Sequence, residues 1–408
     1  MVAQGYLGEA FDLGGWYKLT TPVTYDGLLP KRIATGLASR SVDRTTPDVL
    51  PLLTAGVGGT QIVEIYWRDI QPNDTNNWNV TKVAEITADI QQARDRGLNV
   101  VLRPFAGYYA PDWARALSGG SASGGGMYWY TNDGNLATGA PAPSNSSWKR
   151  MPRPMPCWWA PGYSAAYASF IQKISQEAAW MGNPVVCGVY MGGPSTQYVE
   201  PMVKQFALLE NRQTAVAAGY TPALDQAAFI SGFDACHTYL SPLKIATYCA
   251  FNYYQQVGIS GGVQMVPSVT LDLMERMVDI LGPMAVICNN SLQYPTNKYP
   301  IMYDRMKDFP LEVPPIAISG QTETQVKHEK LWDSQPAGAK LTSPYNTAKE
   351  VLSWGMSHVE MPTGWQSASK TGSNILRWPG VTVTQAAELN RIAWNNTVGR
   401  DEFHKEAA

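Results

Sequence analysis

Charge is scarce in this chain: Asp, Glu, Lys and Arg make up 16% of its 408 residues, and the formal net charge is −2. With a pI near 6.1 there is no broad basic surface, which excludes nucleic acid as a partner. Histidine is rare as well. The four copies, His237, His328, His358 and His404, are scattered and match no metal-ligand spacing. The five cysteines (Cys157, Cys187, Cys236, Cys249 and Cys288) lack close pairs, which rules out a disulfide framework and a zinc pattern. Three of them sit in apolar runs, VVCGVYM, ATYCAFN and AVICNN, where a free thiol acts as a small buried hydrophobe. No apolar run approaches the ~20 residues of a membrane helix. The N-terminal MVAQGYLGEAFDLGGWYKL has no basic start followed by an apolar stretch, so neither a membrane partner nor a classical signal peptide is expected. The expectation is a soluble chain, cytoplasmic or virion-associated.

Aromatic residues, glycine and proline are plentiful instead: 14 Trp, 21 Tyr, 36 Gly and 29 Pro. Such a mix suits loop-rich enzymes and surface proteins with aromatic clefts, and it argues against disorder.

From residue 32 onward, short β-rich runs alternate with longer helical stretches. The predicted strands are RIATGLA (32–38), QIVEIYW (61–67), LNVVLRPF (98–105), VVCGVYM (185–191), KIATYCAF (244–251), MAVICNN (284–290), PIAISG (315–320) and SHVEMP (357–362). Their nearly unbroken apolar content fits strands covered on both faces. Helical patterns include TPDVLPLLTAG, VTKVAEITADIQQARDRG, YSAAYASFIQKISQEAAWMG, SVTLDLMERMVDILG, IMYDRMKDF, NTAKEVLSWG and TQAAELNRIAWNN. Eight strand–helix units predict an α/β fold, a (β/α)8 TIM barrel over 32–398. A doubly wound sheet is the alternative, but no glycine-rich phosphate loop follows the first strand. Residues 1–31 read as an extension packed on the barrel, and 399–408 as a C-terminal tail. Residues 114–162, rich in Gly, Trp and Tyr, form a long insert after the third strand. It is read either as a wall or lid of a cleft or as a surface decoration.

In such barrels the working residues sit at the carboxyl ends of the strands. That rule selects Trp67 and Arg68 after strand two, then Arg103, Tyr109 and Trp113 after strand three. Tyr198 and Glu200 follow strand four, Asn252 strand five, and Asn289 and Asn290 strand six. Gln321 and Glu323 follow strand seven, and Glu360 and Trp365 strand eight. Trp159 joins them from the insert. Carboxylates, amides and arginine among aromatic rings suit sugars: rings stack on the apolar sugar face, and polar groups bond the hydroxyls. Two carboxylates suffice to cleave a glycosidic bond, ~5–5.5 Å apart for retention and ~6.5–9.5 Å for inversion.

The segments EIYWRDIQPND, ARDRGLNVVLRPFAGYYAPDW and PCWWAPGYSAAYASFIQKI, in this order, resemble barrel glycoside hydrolases of the retaining superfamily called clan A. The resemblance implies an acid/base glutamate at the end of strand four, within Asn-Glu-Pro, and a nucleophilic glutamate at the end of strand seven. The chain departs from both. It has Gly192-Gly193-Pro194 at the first position, and at the second Gly320 and Gln321 precede Glu323.

Two readings follow. In one, Glu200 reaches back from a longer loop as proton donor, and Glu323 or Glu360 supplies the second carboxylate. Strands four and eight face each other, so a Glu200–Glu360 pair suits inversion. In the other, catalysis is lost, Glu360 is a buried partner of Arg68 or Arg103, and the barrel binds a carbohydrate or serves as a structural module. A phage tail or surface assembly, with a homo-oligomer or virion as its partner, is one example. Trp67, Trp113, Trp159 and Trp365, with Trp158, are offered as the stacking platform. Neither reading calls for a metal or an organic cofactor.

Overall fold

The structure, a computed structural model, describes residues 29–40, 59–74, 78–122, 124–130, 152–196, 198–258, 261–323, 334–336, 341–362, 365, 369–370, 376–378 and 380–407. Most of the 1–31 extension, the TPDVLPLLTAG helical pattern and residues 131–151 of the insert lie outside the described residues.

Eight parallel strands close into a barrel. They are β1 (Gly36–Arg40), β2 (Thr60–Tyr66), β3 (Asn99–Phe105), β4 (Val186–Tyr190), β5 (Ala246–Ala250), β6 (Ala285–Leu292), β7 (Ala317–Thr322) and β8 (His358–Glu360). Each pairs with its sequence neighbours, and β8 pairs with β1 to complete the ring. The α/β barrel expected from the alternation is the observed fold. Around it lie α1 (Val80–Asp95), α2 (Pro161–Gln176), α3 (Pro222–Leu240), α4 (Pro267–Leu281), α5 (Pro300–Asp308), α6 (Pro344–Leu352) and α7 (Val383–Ala407). Helix α7 continues through most of the segment read as a C-terminal tail.

Local sequence explains where several helices begin. Asn79, Thr221 and Ser343 each accept a backbone N–H of the first turn through the side chain, and Pro222 and Pro344 follow two of these caps. Along α4 the buried residues Leu273, Met274, Met277, Val278 and Leu281 recur at helical spacing and form one stripe against the barrel.

The strands alternate sides with period two. Ile62, Val101, Tyr248, Val286 and Ala317 belong to one buried cluster, which fills the barrel interior. Val63, Leu102, Cys249, Ile287 and Ile318 belong to the layer beneath the helices. Both sides are dry, which is why the strands read as continuous apolar runs rather than alternating ones. Strand β1 starts later than its sequence pattern suggests. Ile33 and Ala34 instead join the interior cluster, and the Ala34 N–H donates to the Tyr248 hydroxyl at 3.1 Å. All five cysteines are buried free thiols. Burial pushes the Cys187, Cys236 and Cys288 thiols up to about 12, so they stay protonated.

Gly188 shows how tightly the interior is filled. A Cβ there would lie 2.1 Å from the Tyr248 ring. Gly188→Ala is therefore expected to lower stability by about 1–3 kcal/mol through overpacking. Urea unfolding would read this as a shift of the midpoint at unchanged slope.

Candidate functional site

The upper layer of the barrel interior is polar. Arg103 on β3 reaches across to Glu360 on β8 and grips both carboxylate oxygens: Nη1 donates to Oε1 at 3.1 Å, and Nη2 donates to Oε2. Both residues are buried. The Arg103 guanidinium also lies 4.6 Å over the Tyr190 ring. Burial opposes its charge, but Glu360, Tyr190 and Glu64 outweigh that and hold its pKa above the ordinary arginine value. Of the two arginine partners offered for Glu360 by the sequence, the structure uses Arg103. Arg68 lies exposed above, 4.9 Å over the Tyr109 ring and 3.6 Å from Asp69.

The loop after β4 closes over this layer. Val199 is buried and belongs to the interior cluster that also holds Phe105 and Tyr190, so the chain dips into the barrel mouth at that point. Glu200 follows it and is half-buried. Its Oε1 accepts the Asn252 amide at 3.1 Å. Asn252 in turn accepts from Asn289 at 3.0 Å, and the Asn289 oxygen accepts the Tyr303 hydroxyl at 3.3 Å. Asn289 also donates to the Phe251 carbonyl at 2.6 Å. A buried relay of amides from β5 and β6 thus fixes one oxygen of Glu200. Asn252 and Asn289, read as hydroxyl donors, are instead this relay. They are 1% and 0% exposed. Asn290 and Gln321 remain half-buried at the rim.

Glu323 is 5% exposed. Its backbone N–H donates to the Leu292 carbonyl at 2.8 Å, and its carboxylate is bound by Lys298 at 3.1 Å. The exit of β4 at Gly192-Gly193-Pro194 is tightly packed. A Cβ on Gly193 would stand 2.8 Å from the Tyr167 ring, within a β4 exit whose Gly192 N–H is held by the Tyr167 hydroxyl at 2.9 Å.

The expected tryptophan platform requires correction. Trp67 (0%), Trp365 (1%) and Trp158 (1%) are core residues, and Trp159 (7%) is nearly so. Trp67 stacks on Phe170 with centroids 4.7 Å apart and is fully buried, so neither of its faces is open to an incoming ring. Trp113 is half-buried, edge-on to Trp67 at 5.8 Å, with its N–H donated to the Gln71 carbonyl. The rings that crowd the mouth are tyrosines. Tyr66 stacks on Phe105 at 5.1 Å and tilts against Tyr109 at 4.9 Å, and both tyrosines are half-buried. The Tyr66 hydroxyl donates to Glu64 at 2.7 Å. The strand-end rule singles out Tyr109 but misses Tyr66, because the pattern QIVEIYW runs on to Trp67 and makes Tyr66 look like a mid-strand residue. Tyr198 is 40% exposed. An open cleft of about 580 Å³ continues from Arg68 through Pro72, Asn73, Pro111 and Asp112 to Trp113.

The described flanks of the insert form a hairpin, Met127–Trp129 with Arg153–Met155. Trp129 and Trp158 pack edge to face at 5.2 Å, and Tyr130 and Asn211 exchange hydrogen bonds of 2.8 Å. These flanks of the insert pack on Phe206 and on the helix Leu209–Ala217, which carries Asn211. Among the described residues no group of His, Cys, Asp and Glu could hold a metal ion, and no helix is long and apolar enough to cross a membrane.

No protein-family model matches the chain, and no curated protein matches it. Solved structures similar to it include several glycoside hydrolase barrels. A GH30 endoxylanase from Clostridium papyrosolvens C71 is 11% identical over 90% of this chain and 73% of its own, with a TM-score of 0.45. Endo-glycoceramidase II from Rhodococcus sp. is 12% identical over 91% and 81%, with a TM-score of 0.40. A D-psicose 3-epimerase solved with D-fructose is 10% identical over 89% and 97%, also with a TM-score of 0.40. Likeness at this level carries nothing about substrate. The barrel itself rests on its closed ring of strands.

Breaking the buried pair strands a charge. Glu360→Gln is expected to cost about 3–5 kcal/mol, whereas Arg103→Met combined with Glu360→Met should recover most of that loss. Urea unfolding of the single and double variants measures both.

His358 lies two residues below Glu360, 5.5 Å from the Tyr248 ring, and neither ring nitrogen has a hydrogen-bond partner. Burial pushes its pKa down to about 4. The unfolded chain takes up this proton below pH ~6.5, but the folded chain resists it down to about 4. Stability present above pH ~6.5 is therefore lost as pH falls through that window, by about 3 kcal/mol. Denaturant titrations at pH 7 and pH 4 should show the loss, and His358→Phe should reduce it.

Proposed function

We propose that the carboxyl-end face of this barrel recognises a carbohydrate, and that it does so without the carboxylate pair a glycosidase needs. The supporting observation is the assembly at the mouth. The half-buried rings of Tyr66 and Tyr109 pack on the same cluster as Val199, next to a Glu200 carboxylate held by the Asn252 amide. Flat rings suit the apolar face of a sugar, and a fixed carboxylate accepts from its hydroxyls. Arg68, Tyr198, Asn290 and Gln321 extend the polar rim, and the cleft toward Trp113 has room for further residues of a chain.

Three features support recognition over cleavage. Gly193 leaves no room for a side chain where the family motif has its acid/base glutamate. Glu360 is fully buried and gripped by Arg103. Glu323 is neutralised by Lys298. Two of the three candidate carboxylates are therefore held in ion pairs, which is not the state of a free donor and nucleophile or base.

Isothermal titration with a panel of soluble gluco-, xylo-, manno- and chito-oligosaccharides tests the reading, together with an assay for released reducing ends. Binding without release is expected, weakened about tenfold or more by Glu200→Gln or Tyr109→Ala. Release that Glu200→Gln abolishes would replace recognition with hydrolysis. Absence of binding across the panel would end the carbohydrate reading.

A further inference from the structure

Lys204 and Asp225 are both fully buried, which is rare for either residue type. Lys204 Nζ donates to Asp225 Oδ1 at 3.1 Å and to the Pro194 carbonyl at 2.5 Å. It also lies 4.5 Å over the Trp158 ring and 5.0 Å over that of Phe229. Asp225 accepts three more donors: the Trp158 indole N–H at 2.7 Å, the Tyr254 hydroxyl at 2.8 Å and the Tyr220 hydroxyl at 3.3 Å. Neither residue reaches the barrel mouth.

Their connections lead to it by two routes. Along the first, Lys204 ends the loop that carries Glu200, and its bond to the Pro194 carbonyl ties the end of that loop back to its start. Inside this staple Thr196 donates to the Val203 carbonyl at 2.9 Å, and the Val203 N–H donates to the Glu200 carbonyl at 3.0 Å. Along the second, Tyr254 stands two residues after Asn252. Its N–H donates to Thr270, whose hydroxyl donates to the Asn252 carbonyl at 3.1 Å. Gln255 joins the two arms by accepting the Lys204 N–H at 3.1 Å. The donor and the acceptor of the Asn252–Glu200 hydrogen bond therefore share one anchor, Asp225.

We infer that the Lys204–Asp225 pair is a positioning clamp, which sets the Glu200 carboxylate over the barrel mouth by fixing the strand-four loop and the strand-five arm to one buried point. A well-packed apolar pair could fill the same space at similar or better stability, but it would lack the direction of an ammonium shared between a carboxylate and a carbonyl. The clamp's importance for function rests on reading the mouth as the ligand face. Its existence does not.

Hydrogen exchange of the full chain without ligand tests the clamp separately from the binding reading. In Lys204→Met, peptides covering 195–203 and 252–256 should exchange about tenfold faster, while those in β5 and β6 keep their protection. Asp225→Asn keeps the acceptor oxygen but removes the charge, and it decides the same question if Lys204→Met does not fold. Unchanged loop exchange, or protection lost equally in the strands, would overturn the inference. With the tightest-binding oligosaccharide of the panel above, Lys204→Met should weaken affinity as Glu200→Gln does, and the double variant no further. Full affinity in Lys204→Met alongside loss in Glu200→Gln would also overturn it. If no oligosaccharide binds the wild-type chain, the binding reading falls, and the exchange result alone supports or overturns the clamp.

Discussion

Arg103 and Glu360 stand on β3 and β8, with β2 and β1 between them around the ring, and their two-pronged contact crosses the barrel interior. A guanidinium in that setting must be matched, because an isolated charge there loses its hydration without compensation. Much of the upper barrel follows from this pairing. The Tyr190 face lies under the guanidinium, and His358 stays neutral below it. Val199 and Phe105 belong to the same interior cluster. The carboxylate that the strand order makes most conspicuous is thereby part of the scaffold.

With the interior filled, the mouth is a floor rather than a shaft, and a ligand meets what stands on that floor. The rings available there are tyrosines from the ends of β2 and β3, half-buried and tilted against one another. The tryptophans serve elsewhere. Trp67 stacks on Phe170 of α2, and Trp129 and Trp158 brace the insert against Phe206 and Tyr220. Large indoles remove the most apolar surface from water when fully enclosed, whereas a tyrosine keeps a hydroxyl at the wet edge. That hydroxyl on Tyr66 is what holds Glu64.

The barrel was legible because its signal is local and repeated. Each of the eight apolar runs is buried on both sides, and the pattern VTKVAEITADIQQARDRG falls on α1. Among the described residues, ends shifted: Ile33 and Ala34 left β1 to join the interior, and α7 ran on into the segment read as a tail. The site was legible in outline alone. The strand-end rule selected Glu200, Arg68, Tyr109, Asn252 and Glu360 together, but nothing in it separates the buried Asn252 and Glu360 from the half-buried or exposed others. Nothing near Lys204 in VEPMVKQFALL or near Asp225 in PALDQAAF signals a buried ion pair. Both residues look like ordinary solvated charges in a loop and on a helix.

By itself, then, the sequence determined the ring of strands and their order, since these depend on periodicities spanning a few residues. Tertiary structure alone decided which carboxylates stay accessible. Glu360 is claimed by a residue 257 positions away, Glu200 is oriented by one 52 positions away, and Glu323 is neutralised by Lys298 on the preceding loop. Burial and pairing belong to contacts rather than to single residues, and these contacts exist only once the ring has closed.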